Sequence, residues 1–335
     1  MNRTGAAGQC RIALAWLLGG CAFAAQADAP LPATNDVAPP PASQEFSDTM
    51  QGHGAVSIAY LNTYVNGFQV DSQHEAPNGA VRSRGVALDL DYYYADHWSL
   101  HVGIPHLSNR YTCAAPHCPT SAPPQCAGQP VLTQPHPESQ FLDDGKYHSA
   151  WADVTVGTTY HTDINGYLLA PTVSYSFPSH DYTFFGNAAV AQDIWQLELS
   201  ATLAHQLDFS QLYYRIGYGY VLTEHVLGTS VSHHKVDLEL GYFVNEKVSV
   251  RAFTSGRVGH GYTAAHLGAR FAGMTNEYWY HHDQISEHNY FGAGVGFDYD
   301  LGNRFTLSSS VQREFWGETV FDFKYAFETR LTRSF

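Results

Sequence analysis

Charged residues are scarce in this sequence, because Lys, Arg, Asp and Glu make up only 14% of its 335 residues. The 17 basic residues are outnumbered by 31 acidic ones, and the formal net charge is -14. Proteins that bind nucleic acid need a basic surface to neutralise phosphates, so nucleic acid is excluded as a partner. Beyond the N-terminal region no run of about eighteen apolar residues occurs, so no transmembrane helix is expected.

Cysteine is also rare, with five residues in the whole chain. Cys113, Cys118 and Cys126 share one Pro-rich stretch, and three thiols allow three alternative single bridges. We expect one disulfide there, in an exposed loop. The spacing of these cysteines, with His117 nearby, is too loose for a typical zinc site. The 19 histidines match no metal motif either, so they are expected on solvated loops and strand ends, and no metal ion or cofactor is predicted.

The N-terminal region has the pattern of an export signal. Arg3 and Arg11 supply positive charge, an apolar core follows, and Ala25-Gln26-Ala27 is a small-residue cleavage site, so residues 1–27 are predicted to be a signal peptide. In the alternative, a lipoprotein signal ends at an acylated Cys21. Residues 28–52 are rich in Pro and Ala without apolar periodicity, which predicts a disordered lead-in before a folded domain at 53–335.

The rest of the chain is dominated by alternating segments and by aromatic residues, which reach 14%. In the last segment, Phe321, Phe323, Tyr325, Phe327 and Leu331 alternate with charged and small residues. Side chains alternate faces along a strand, so this pattern fits an aromatic face against lipid and a polar face against a lumen. The segments predicted as strands are 54–68, 80–94, 97–109, 149–161, 166–177, 193–206, 211–223, 231–244, 246–256, 287–301, 303–313 and 318–333.

Short and long connections alternate between these segments. Bacterial barrels have short periplasmic turns and longer outer loops, and an even strand number when both termini are periplasmic. The sequence therefore predicts an all-β protein: a single antiparallel transmembrane β-barrel of twelve strands in the outer membrane of a Gram-negative bacterium. Ten or fourteen strands remain alternatives.

Strand parity assigns a set of polar side chains to the lumen. These residues brace the interior or line a pore whose acidic excess favours cations or neutral polar solutes. Gly292, Gly294 and Gly296 are expected to leave space at one wall. The predicted pore-lining residues are Asp89, Asp91, Asp153, Glu198, Arg215, Asp237, Glu239, Arg251, Asp298, Lys324 and Glu328.

Two long connections, 110–148 and 257–286, are expected to fold over or into the outer mouth. The cluster Tyr278-Trp279-Tyr280 in the second of them predicts a plug or an apolar ligand site. At the other end of the chain, the terminal Phe335 after an alternating strand resembles the assembly signal of outer-membrane barrels, although Arg333 stands where an aromatic residue is usual. The predicted partners are therefore outer-membrane lipid and lipopolysaccharide, a small-molecule solute, and the barrel-assembly machinery.

Several segments also resemble a known family. They are Phe177-Pro178-Ser179-His180-Asp181-Tyr182 running through Gly186 to Trp195, Tyr218-Gly219-Tyr220 followed by Glu224, Leu238-Glu239-Leu240-Gly241-Tyr242-Phe243, and His260-Gly261. They are similar to the transporter family of the meta-cleavage pathway of phenol degradation, over about residues 150–331. The resemblance implies an outer-membrane porin-like barrel that takes up small, hydrophobic or aromatic molecules.

The sequence thus favours a passive outer-membrane channel, with no catalytic residues. One alternative is a hydrolase at the barrel rim that acts on lipid or ester substrates, for which Ser232-His233 and Ser255 with His260 are the candidate pairs. The other alternative is a closed structural or adhesive barrel whose lumen is filled.

Overall fold

The computed structural model describes residues 50–71, 74–112, 142, 145–261, 280–318 and 320–335. The predicted signal peptide and nearly all of the lead-in lie outside these residues, as do Cys113, Cys118, Cys126, Tyr278 and Trp279. Within the described ranges, no helix is long and apolar enough to cross a membrane.

The described chain is almost entirely β-structure, with one short helix, α1 (His282–Ile285). The strands are β1 (Gly54–Asp71), β2 (His74–Ala95), β3 (Trp98–Thr112), β4 (His148–Trp151), β5 (Asp153–Tyr160), β6 (Thr162–Ile164), β7 (Tyr167–Pro178), β8 (Gln196–Gln206), β9 (Leu212–Thr223), β10 (His225–Val226), β11 (Thr229–Ser230), β12 (His233–Phe243), β13 (Val248–Gly259), β14 (Asn289–Gly302), β15 (Phe305–Glu318) and β16 (Val320–Ser334).

The strands form one closed antiparallel barrel. Its sheet has 14 strands, but β4, β5 and β6 are consecutive pieces of one wall strand, so the wall has twelve strands and confirms the prediction. Closure is made by β1 and β16, which pair from Ala55 opposite Ser334 to Gln69 opposite Val320. The hairpin of β10 and β11 stands apart from the wall. A closed barrel satisfies every backbone group without an open edge, as a membrane span requires.

Alternation along the strands separates an outer and an inner face. On β2, Val86, Leu88 and Leu90 are exposed, whereas Ala87 and Asp89 between them are buried. The same alternation runs around the wall and gives an outer belt of aliphatic and aromatic side chains that faces lipid. Such a belt on a closed barrel places the protein in the outer membrane.

From β3 to β14 the connections alternate in length as predicted, whereas β1–β2 and β15–β16 are joined by short connections. At the end that holds both termini, the turns are short, for example 96–97, 165–166 and 303–304. At the other end lie the connections 113–147, 179–195, 224–232 and 260–288. Two expected connections are wrong. In place of the loop 69–79, β1 and β2 continue as a paired hairpin as far as Asp71 opposite His74. Residues 314–317 belong to β15, which pairs with β14 as far as Glu318 opposite Asn289.

Phe323 in the last strand lies on the opposite face of the wall from the one predicted. Phe323 was expected on the lipid face, but it is fully buried inside the barrel, whereas Tyr325 and Leu331 do face outward. Tyr64 pairs with Tyr325 and the next residue, Val65, pairs with Phe323, so Lys324 is an extra residue in β16. Such a bulge reverses the parity of the residues beyond it.

The inner-face glycines do not leave open space, contrary to the expectation from sequence. A Cβ built on Gly292 would lie 2.9 Å from the Phe323 ring, and one on Gly294 would lie 2.4 Å from the Phe253 ring. A Cβ built on Gly296 would lie 3.1 Å from the side chain of Arg251. These glycines instead let large side chains of neighbouring strands lie flat against the wall.

Gly241 offers a test of this packing. A Cβ there would lie 2.0 Å from the ring of Tyr213, which is fully buried, so Gly241→Ala is expected to destabilise the barrel by about 1–3 kcal/mol through overpacking. Gly217→Ala is the matched control, since its Cβ would meet nothing closer than 3.4 Å. Urea unfolding in lipid vesicles measures both. Equal midpoints for the two variants would contradict the packing role of Gly241.

Candidate functional site: the barrel interior

The predicted pore-lining residues come together inside the barrel in separate polar groups. Most of them are engaged in ion pairs or hydrogen bonds with other side chains of the barrel interior, and several of these contacts join different wall strands, so they brace the wall as well as line it. The residues with such partners are Asp89, Asp91, Asp153, Glu198, Arg215, Glu239, Arg251, Asp298, Lys324 and Glu328.

The first group joins β16 to β2 near the periplasmic end. Arg330 places Nη1 2.5 Å from Oδ2 of Asp89 and Nε 2.9 Å from Oε1 of Glu328. Beside them, Nδ1 of His101 lies 2.7 Å from Oδ1 of Asp91. Arg330 and His101 were not among the predicted site residues. Arg330 was predicted on the polar face of the last strand, but its role as the shared partner of two carboxylates depends on register, which the sequence does not show.

The second group links β9, β12, β13 and β14. Arg251 places Nη1 2.5 Å from Oδ2 of Asp298 and Nε 3.6 Å from Oε2 of Glu239. The same Glu239 oxygen lies 3.5 Å from Nη2 of Arg215. Asp298 also accepts hydrogen bonds from Ser249 and Ser308. Two arginines and two carboxylates thus form a neutral cluster, so the acidic excess inferred from the sequence is largely cancelled here.

A third group lies higher on the same wall. Nζ of Lys235 on β12 is 2.9 Å from Oε2 of Glu198 on β8, and Asp237 lies on the same face of β12. The Lys235 side chain keeps 29% of its accessible surface, more than the arginines below it. Lys235 is a further interior charge that the prediction omitted. Lys324 pairs with Asp322 at the β16 bulge, where its side chain is 30% exposed.

Between the first polar group and the end that holds the long connections, the opposite wall of the interior carries an apolar patch. Leu61 and Val65 on β1, Val81 on β2, and Leu107 and Tyr111 on β3 all point inward and are almost completely buried. They are covered by the connection between β7 and β8. We call residues 179–195 the inner loop, because they turn into the barrel.

The inner loop brings an apolar stretch against that wall. Phe185, Ala188, Ala189, Val190 and Ala191 are all buried. Ala188 and Ala189 pack with Val65, Val81 and Tyr111, and Val190 and Ala191 pack with Leu61 and Leu107. Burial of these side chains provides the hydrophobic free energy that holds the loop in the lumen.

Hydrogen bonds fix both arms of the inner loop. Tyr182 donates its hydroxyl to Oδ1 of Asp153 on β5, and the backbone N–H of Asp193 donates to the Tyr182 oxygen over 3.1 Å. Asn109 on β3 donates Nδ2 to the Ala189 carbonyl over 2.6 Å. Burial raises the pKa of Tyr182 above its usual value, so the phenol stays protonated and able to donate. Burial, with Asp181 and Glu224 nearby, also raises the pKa of Asp193.

A second connection reinforces the inner loop. Gln284 in α1 donates to the Gln192 carbonyl over 2.5 Å, and Gln192 donates to the Asp283 carbonyl over 2.9 Å. Tyr280 lies with its ring centre 4.8 Å from Phe184 and 5.3 Å from Phe185. The predicted infolding of loop 257–286 therefore agrees with residues 280–286, whereas 257–259 belong to β13. Tyr280 belongs to an aromatic cluster at the mouth.

The inner loop was not predicted from the sequence, although a signal was present. Residues 184–191 (FFGNAAVA) form an apolar run inside a connection between two membrane strands. An exposed outer loop has no reason to carry such a run, because only burial gives it a favourable free energy. Its lack of strand alternation led to its being treated as an ordinary outer connection.

The residues of the hydrolase alternative have other partners. Oγ of Ser232 lies 2.6 Å from Oγ of Ser230, while Nδ1 of His233 lies 3.1 Å from the Val231 carbonyl. Ser255 donates to Oε1 of Gln312 over 3.4 Å. Among the described residues, neither predicted Ser-His pair forms a hydrogen bond between its side chains, which a nucleophile and its base require.

Comparison with known proteins identifies the fold. An outer-membrane channel from Pseudomonas putida F1 aligns with 88% of this chain and 100% of its own, with a TM-score of 0.60 and 12% identity. The chain has the fold of an outer-membrane barrel. The KdgM porin covers 83% of this chain and 99% of its own at 8% identity and a TM-score of 0.43. The toluene transporter TbuX from Ralstonia pickettii covers 85% and 90%, at 10% identity and 0.39.

No protein-family model matches the sequence, and no curated protein matches it. Membership of the phenol-degradation transporter family therefore stays a prediction. The structural neighbours are outer-membrane channels and porins, and at these identities the likeness concerns the fold of the barrel.

Proposed function

We propose that this protein is an outer-membrane channel for the passive passage of small molecules. The observation that carries the proposal is the division of the interior. The inner loop covers the wall formed by β1, β2, β3 and β16, while the wall across the barrel, at β8, β9 and β12, keeps charged side chains in partial contact with solvent. A polar strip beside a narrowing loop is the arrangement of a selective pore.

The proposal is tested by conductance. The refolded protein is inserted into planar bilayers. We expect discrete channel openings whose conductance rises with salt concentration. A closed structural barrel gives no openings, and neither does a barrel whose role is adhesive. Release of acyl chains from phospholipid or lipopolysaccharide, abolished by His233→Ala, would instead support the hydrolase.

Lys235 provides a test of which wall the ions follow. Lys235→Gln leaves Glu198 and Asp237 without their cationic neighbour, so the pore is expected to shift toward cations, with a change in reversal potential of roughly 10 mV or more across a tenfold salt gradient. Lys247→Gln removes the same charge from an exposed periplasmic turn and should leave the reversal potential near that of wild type. If Lys235→Gln and Lys247→Gln have the same reversal potential, ions do not pass close to Lys235.

The outer mouth suggests a class of solute. Phe184, Phe185 and Tyr280 form an aromatic cluster where the inner loop meets α1. Phe184 and Phe185 are buried, but Tyr280 is partly exposed and offers an aromatic ring that favours flat apolar solutes. We therefore propose small hydrophobic or aromatic molecules as cargo. Flux into vesicles of a panel of aromatic, fatty and sugar solutes tests this. Equal flux for aromatic compounds and sugars of the same size would show an unselective pore.

We also propose that the barrel-assembly machinery recognises the last strand. The chain closes the wall there, since the backbone of Phe335 exchanges two hydrogen bonds with Gly54, and its ring is 43% exposed. Phe335→Ala should reduce the amount of folded barrel in the membrane while leaving unassisted refolding in detergent unchanged.

A further inference from the structure

Three arginines form a cluster on the outer face of the wall, at the end that holds the long connections. Arg82 and Arg84 lie on β2 and Arg110 lies on β3, and Arg82 is the direct cross-strand partner of Arg110. Arg82 and Arg84 are exposed, and they continue the outward row that contains Val86 and Leu88. The chain has only 17 Lys and Arg in 335 residues, so three guanidiniums on one patch stand out.

Among the residues that the structure describes, the cluster has no counter-charge. Like charges directly opposite on two strands repel each other, so the pairing of Arg82 with Arg110 costs stability. No carboxylate of the described residues pairs with any of the three, and the buried Nε of Arg110 has no hydrogen-bond partner there. Tyr147 places its ring under two of them, 4.2 Å from Cζ of Arg84 and 5.0 Å from Cζ of Arg110.

Aromatic rings therefore position the guanidiniums, and no carboxylate of the described residues occupies their N–H donors. The third arginine is held in the same way, with Cζ of Arg82 lying 4.9 Å from the ring of Tyr64. An arginine stacked on a ring keeps its planar edge available for two parallel hydrogen bonds to an oxyanion. The arrangement is suited to a phosphate group that approaches from outside the barrel.

The height of the cluster identifies the source of that phosphate. Tyr94 on β2 marks the periplasmic edge of the outer belt, and Arg84 lies ten residues earlier on the same strand, which is roughly 34 Å along a strand. At a typical tilt of about 40° this distance spans about 26 Å of membrane, close to the full height of the apolar band. The guanidiniums thus lie at the headgroup level of the outer leaflet, directly above the lipid-facing belt.

We propose that Arg82, Arg84 and Arg110 bind the phosphate groups of lipopolysaccharide in the outer leaflet. The acyl chains of the same lipid would lie along the belt below, against Val86, Leu88 and Ile104. The site is on the outside of the wall, so it is independent of whether the interior conducts.

Binding is tested on the full barrel reconstituted in detergent with purified lipid A. Native mass spectrometry counts the lipid A molecules retained, using bisphosphorylated lipid A and its dephosphorylated form. Wild type is expected to retain the phosphorylated form, and the variant Arg82→Gln, Arg84→Gln, Arg110→Gln to bind it at least roughly tenfold more weakly. Heat-modified migration in gels verifies that the variant is folded.

A matched control removes cations at the opposite rim. Arg304→Gln with Arg333→Gln takes two exposed arginines from the periplasmic end, where the leaflet contains no lipopolysaccharide, and its lipid A retention should equal that of wild type. The proposal is overturned if the triple variant retains as much lipid A as wild type, or if wild type retains the dephosphorylated form equally well. Neither result depends on conductance, which is measured separately.

Discussion

Replacing residues 183–191 with a short Gly-Ser linker is expected to raise single-channel conductance by roughly threefold or more, because conductance follows the width of the narrowest section. In the structure these residues fill one side of the interior, with Phe185, Ala188 and Ala189 at most 1% exposed. Planar-bilayer recordings at fixed salt measure the change. The wall strands β7 and β8 remain intact, since both begin and end outside the exchanged segment.

The control for this exchange is another outer connection. Replacing residues 225–230, the β10–β11 hairpin, removes a segment that stands apart from the barrel wall, and wild-type conductance is expected. A smaller step is Tyr182→Phe, which removes the hydrogen bond to Asp153 and should increase the frequency of brief openings without a change in their size. Unaltered conductance after exchange of 183–191 would mean that solutes pass elsewhere or not at all.

Arg330→Met is expected to lower the free energy of unfolding by about 3–5 kcal/mol, since removal of one partner leaves buried carboxylates uncompensated. Asp89 and Glu328 both rely on this guanidinium, and all three side chains are nearly inaccessible. Urea unfolding of the barrel in lipid vesicles, followed by Trp fluorescence, measures the loss. Arg333→Met is the matched control on the same strand, because its side chain faces outward at the rim.

Two compensating substitutions distinguish the effect of the charge of Arg330 from the effect of its packing. Adding Asp89→Asn and Glu328→Gln to Arg330→Met removes the stranded charges and is expected to bring stability back to within about 1–2 kcal/mol of wild type. If the triple variant remains as unstable as Arg330→Met alone, the shape of the arginine rather than its charge holds β2 and β16 together.

The sequence was sufficient to predict the barrel, because period-two alternation repeats along every wall strand and survives small errors at strand ends. It failed where alternation is interrupted. The bulge at Lys324 turned Phe323 inward, and a single inserted residue leaves no mark on composition. The extension of β1 and β2 into the connection predicted at 69–79 was also missed; Pro77 and Gly79 lie in this part of β2.

Predictions inside the barrel were limited in another way. Parity assigned side chains such as Asp298 and Glu239 to the interior, but which charge meets which depends on the stagger between strands distant in sequence. Arg251 meets Asp298 from 47 residues away, and Arg330 meets Asp89 from 241 residues away. The inner loop was missed because its side chains pack against β1 and β3, and a local pattern gives no information about such distant contacts.

The pairing of β1 with β16 has a consequence for biogenesis. The two strands of this seam are separated by the whole length of the domain, so loop-closure entropy makes their pairing the slowest contact to form. Until it forms, both strands present unpaired backbone groups along more than a dozen residues, a surface that recruits other chains. The polypeptide is therefore expected to be prone to aggregation until β1 and β16 meet, and mutations that weaken this seam should appear first as aggregation before insertion.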